Sequence, residues 1–169
     1  EEADGLTIVS TSTDGGISIT SATGDVILTS MTTSDDSVSV TATTGSLTVD
    51  TVAAGTGNVT LEATAGSILD DGADGTSIIG GLVTLTAQDA VGAAAAGDIE
   101  TSADQLDVSV TGAGIIVIDE TDGVELLDVD TADGSITIAT SGNTVATDVT
   151  STTDDDDNDI RITVTTGDL

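Results

Sequence analysis

The groups in this chain best suited to chemistry are carboxylates. They gather in four short loops: "DVDTADG" with Asp128, Asp130 and Asp133, "DDGADG" with Asp70, Asp71 and Asp74, and "DETDG" with Asp119, Glu120 and Asp122 complete three of them. The fourth is the run Asp154, Asp155, Asp156 and Asp157 with Asp159. Hard cations are the ligands such loops suit, because calcium takes six to eight oxygens from carboxylates and backbone carbonyls. These residues are therefore candidate calcium ligands, with calcium as the one cofactor the composition favours. The first loop comes near the D-x-D-x-D-G pattern, but its spacing is off by one and no Glu closes it. A solvated acidic face is the competing reading for each loop. Asn58, Val59 and Thr60 form a glycosylation sequon, or a chance match at a strand start.

Other chemistries lack their reagents. The chain has no His, no Cys and no Lys. Soft-metal sites and thiol chemistry are thus excluded, and the many Ser and Thr have no base to activate them. A polysaccharide-cleaving carboxylate pair is the remaining enzymatic reading. It would have one Arg and no aromatic platform with which to hold a sugar. We expect no enzyme.

The 169 residues carry 31 acidic side chains against one basic residue, Arg161, for a net charge of -30. Nucleic acid and anionic membranes would repel such a surface. No apolar run approaches the roughly 18 residues of a membrane span. Mean hydropathy is nevertheless positive, at +0.25. A chain both apolar on average and this acidic must place the two kinds of residue on opposite sides of its backbone.

The apolar residues show how. Ile17/Ile19, Val38/Val40 and Val59/Leu61 recur every 21 residues, as do Val26/Leu28, Leu47/Val49 and Ile68/Leu69. Gly24, Gly45 and Gly66 precede the second series at the same interval. Three copies fill 15–77, and within each the apolar residues alternate with Thr, Ser and Asp. That period of two marks half-buried strands, which β-branched side chains favour. A β-sandwich would also space its strands this way, but its strands are not internally periodic, and large aromatics usually fill the gap between its sheets. Stacking like on like in a β-solenoid explains both the repeat and the small aliphatic core. We expect a single all-β domain over 1–169, a parallel β-solenoid of about 21 residues per coil, with regular coils at 15–77 and irregular ones at 78–169. In the irregular part Gly81–Leu85, Gly97–Ile99, Leu106–Val110, Ile116/Ile118, Leu126, Ile136/Ile138 and Ile160/Ile162 continue the pattern. Asn143/Val145 and Gly167–Leu169 read as starts of the second series.

The stretches "GGISITSATGDVILTS", "GNVTLEATAGSIL" and "TADGSITIAT" resemble the shaft repeats of filamentous-haemagglutinin-like bacterial surface proteins. That resemblance implies a right-handed parallel β-helix, export to the cell surface, and service as an adhesin stalk or surface fibre. "EEADG" reads as a mature N-terminus or the edge of an excised fragment. Neither end of the pattern carries a capping motif, so either the chain is a segment of a longer array or copies stack head to tail; both give a continuous filament. The alternatives are a calcium-dependent module that binds a surface glycan or another surface and, below it, the polysaccharide-degrading enzyme.

Overall fold

The computed structural model describes residues 5–73, 75, 77–93, 97–153 and 158–169. Among them every regular element is a β-strand, and every strand pairing is parallel. β1 (Leu6–Thr11) precedes the three 21-residue copies, which supply β2 (Ile17–Ser21), β3 (Val26–Thr32), β4 (Val38–Ala42), β5 (Leu47–Val49), β6 (Val52–Ala53), β7 (Val59–Ala63) and β8 (Ile68–Asp70). The later coils supply β9 (Ile78–Ala87), β10 (Ile99–Val110), β11 (Ile116–Glu120), β12 (Val124–Thr131), β13 (Ile136–Thr140), β14 (Thr144–Ala146), β15 (Val149–Ser151) and β16 (Ile160–Val164).

Each strand pairs with its counterpart one coil on, giving a β-solenoid of about 7 turns. The first-series residues form one inward column, Ile17, Val38, Val59, Val83, Leu106 and Leu126. The second series forms another, running Val26, Leu47, Ile68, Val91, Ile116, Ile136 and Ile160. Val38 and Leu47 lie in different ladders and do not face each other across a hairpin, which removes the sandwich. Alternation along each strand puts Val, Ile, Leu and Ala inside and Thr, Ser and Asp outside. The two columns are almost fully buried between Val26 and Ile136. Hydrophobic burial and backbone hydrogen bonds along the stack therefore act on the same residues.

Coil corners explain the glycines. Gly24 has φ of +79°, a left-handed conformation that costs glycine little. One coil on, a Cβ added at Gly45 would overlap the Gly24 carbonyl. Side-chain oxygens cover corner amides that the ladders leave free: Asp25 Oδ1 accepts from Ser46 N at 2.9 Å, Asp35 Oδ1 from Thr56 N at 2.9 Å, and Ser46 Oγ from Ser67 N at 3.1 Å.

Three register expectations change. Leu69 pairs with Thr48 on the outward side, and Asp70 takes the position beneath Val49. Val145 belongs to the first-series face, because β14 pairs with the beginning of β12, and it points outward. The Asp168 carbonyl accepts the Thr144 amide at 2.8 Å, which puts Gly167–Leu169 over that face too. The third copy keeps the regular spacing but has Ile68 and Leu69 adjacent, so Leu69 faces out. At Val145 and Gly167–Leu169 an irregular coil length shifts the phase that the regular copies set.

Candidate functional site

The solenoid sorts the carboxylates into three settings: local turns, outward columns and the interior. Asp70 Oδ2 accepts from Gly72 N at 2.6 Å and Asp71 Oδ1 from Ala73 N at 3.1 Å, so both side chains close their own turn. Asp133 sits at a corner and accepts from Asn158 Nδ2 at 2.8 Å. The Asp159 carbonyl accepts the Ile136 amide at 2.9 Å as β16 joins the stack. Asp74 and Asp154–Asp157 lie outside the described residues. Asn58 of the sequon is exposed, and its amide oxygen accepts from Leu82 N at 3.3 Å, in the same corner role as Asp25.

Asp128 and Asp130 separate from Asp133 because they belong to β12. There they meet a residue that the loop reading left out: Asp107 on β10 is the register partner of Asp128, and Ser109 that of Asp130. Burial, then the neighbouring charges of Asp128 and Asp130, raises the Asp107 carboxyl above its ordinary range. Asp130 is raised for the same first reason, with Asp128 and Asp148 adding to it. This outward column is a like-charge ladder crossing two coils.

The "DETDG" stretch divides between inside and outside. Asp119 faces outward on β11, its carboxyl raised by burial and then by Asp98. Asp122 is exposed in the following loop and accepts from Ser102 Oγ at 3.0 Å. Glu120 between them points into the core and is fully buried. Glu100 is also buried; its Oε2 accepts from Ser77 Oγ at 2.7 Å, and burial raises its carboxyl. Among the described residues, no three acidic side chains come together as a group that could hold a metal ion.

A shallow depression of about 150 Å³ opens where Gly80 and Gly81 leave the surface without side chains. Ile79 forms part of its wall, and Asp104, Asp122 and Ser102 border it. Two carboxylates beside a depression are the minimum for glycoside chemistry. What the arrangement supplies by itself is hydrogen-bond acceptors and negative charge. No family model matches the chain, and neither the curated proteins nor the solved structures give a match.

Proposed function

We propose that this chain is a structural rod element of an extracellular filament or adhesin shaft, joined end to end with further coils of its own kind. The observation that carries the reading is where the apolar surface lies. Of the seven exposed large hydrophobic residues, Leu6 and Val9 are on β1, Val145 on β14, Ile160 on β16, and Leu169 follows it. Five of the seven among the described residues thus belong to the two terminal coils, and only Ile27 and Ile79 lie on the sides of the coils between them. Among the described residues β1 and β16 each pair on one edge only. An unpaired strand edge over an incompletely covered core favours another strand. The working property is mechanical: each added coil lengthens the rod by about 4.8 Å through backbone hydrogen bonds. Work outside the cell accords with a single tryptic site, Arg161.

Sedimentation and negative-stain imaging of the purified chain, with and without millimolar calcium, test this. Filaments of solenoid width are expected. Val9→Asp and Ile160→Asp, which place charge on the two edges, should abolish them while the strand signal in circular dichroism persists. A chain that stays monomeric at every concentration and in both buffers would sink the proposal.

A second reading, a module binding a glycan or another extended surface, draws on the outward side of the first-series face. Ser18, Ser39, Thr60 and Thr84 stack at one position there, and Thr20, Thr41 and Thr86 at the next, with Glu62 interrupting. Retention on a panel of immobilised polysaccharides by the monomeric edge variants would favour it over the rod.

A further inference from the structure

A third inward column changes character partway along the rod. Met31, Val52 and Ile78 occupy it in the early coils, then Thr101, Glu120 and Thr140. All six are fully buried. Glu120 is thus a carboxyl group inside the solenoid with a threonine on the coil to either side. Its Oε2 accepts the Thr101 hydroxyl at 2.6 Å and the Ala103 amide at 3.2 Å, and its Oε1 accepts the Asp122 amide at 3.1 Å. On the far side the hydroxyls of Thr140 and Thr144 bond each other at 2.7 Å.

These donors fix the carboxyl in place, and none of them is charged. The titratable groups on the neighbouring elements are Glu100, Asp104 and Asp107 on β10, Asp119 on its own strand, Asp122 in the next loop, and Glu125, Asp128 and Asp130 on β12. The strands β13 and β14 carry none. Every one of these groups is a carboxyl. Arg161, the chain's one basic side chain, is exposed on β16. A buried carboxylate without a counter-charge takes up a proton rather than remain ionised.

We propose that Glu120 is a proton-binding site in the core, and that its proton holds the coils of β10, β11 and β13 together. The ligand is a proton taken from solvent. The depression bordered by Ala103 and Asp122 lies next to the site, so water entering there reaches Glu120 first. Below neutrality the column is neutral and closed. Above it the ionised group draws in water and loosens the seam between these coils, while the apolar coils from Met31 to Ile78 are unaffected.

The electrostatics agree in sign. Burial pushes the Glu120 carboxyl up from 4.5 to about 7; the Thr101 hydroxyl opposes the rise and the Asp122 carboxyl adds to it. A folded-state value above the unfolded one means that the folded chain binds the extra proton. The stabilisation is complete below the unfolded value and disappears as pH rises through the folded one.

Carbon-13 NMR of glutamate carboxyls in the whole chain tests the site directly. Glu120, assigned by loss of its signal in Glu120→Gln, should titrate near pH 7. Amide exchange measured between pH 6 and 8, corrected for intrinsic rates, should rise about tenfold at Ile118 and Ile138 and stay level at Val40 and Leu61. Glu120→Gln, neutral at every pH, should remove that rise. Titration of Glu120 in the ordinary carboxylate range would overturn the proposal, as would an exchange profile that keeps its pH dependence in the variant. Should the variant not fold, the wild-type titration and exchange decide alone.

Discussion

At the scale of single residues, the solenoid is strict about volume because each side chain meets its equivalent on the coils before and after. Leu61 stacks between Val40 and Leu85 and is fully buried. Leu61→Ala should destabilise by about 2–5 kcal/mol, the usual range for a buried leucine whose cavity cannot collapse. Chemical denaturation measures it, and a loss near zero would mean that neighbouring coils repack freely. Corner glycines are strict for a different reason. At Gly45 the nearest obstacle to a methyl group is the backbone carbonyl of Gly24, which cannot rotate away. Gly45→Ala should therefore cost more than the same change at Gly75, where a Cβ meets nothing within 4 Å. Comparing the two melting curves checks this, and equal losses would show that the corner gives way.

At the scale of strands, the outward ladder sets Asp107 on β10 directly opposite Asp128 on β12, with Asp130 two residues further along β12 opposite Ser109. Such a pair opposes sheet formation by about 0.2–1 kcal/mol. Asp128→Asn should raise the melting temperature at pH 7, because Asp128 is a neighbouring charge to both Asp107 and Asp130. Both of those carboxyls are raised above 3.8 in the folded chain. The folded state thus holds their protons more tightly, and their contribution to stability is present at low pH and is lost as pH rises through the folded values. The advantage of Asp128→Asn should accordingly shrink as pH falls toward 3, where the ladder is already neutral. A gain that is constant from pH 3 to 8 would assign it to packing or strand propensity instead.

At the scale of the whole molecule, charge density dominates. About 7 turns at roughly 4.8 Å give a rod near 34 Å long. A net charge of -30 over that length is one charge per ~1.1 Å, against one per roughly 1.7 Å for duplex DNA. The solenoid is wider than DNA, which softens the repulsion without removing it. Melting temperature should climb with salt, and it should climb further with millimolar calcium at fixed ionic strength, because a divalent ion screens carboxylates on adjacent coils together. Thermal melts in calcium against matched sodium chloride decide this, and coincident curves would leave the acidic loops as a solvated face. The same charge opposes end-to-end contact, so filament growth should show the same dependence on salt.

The amino-acid order determined the architecture because a solenoid is nearly one-dimensional. A residue's stacking partner lies one coil along the chain, so the recurrence of Ile17, Val38 and Val59 is itself the list of contacts, and alternation settles which side faces in. The same parity reaches Glu120: continued from Ile116 and Ile118, it points inward, as it does at Thr140 after Ile136 and Ile138. That signal was present but undecided, since alternation holds only while the chain stays in a strand, and sequence alone does not separate the last residue of a strand from the first of a corner. What only the tertiary structure decided was the phase of the irregular coils. Asp107 meets Asp128, and Gly167–Leu169 joins the first-series face, because coil length varies beyond Asp70. One added or missing corner residue moves every later side chain to a new neighbour, and only the hydrogen-bond register between coils records where each one came to rest.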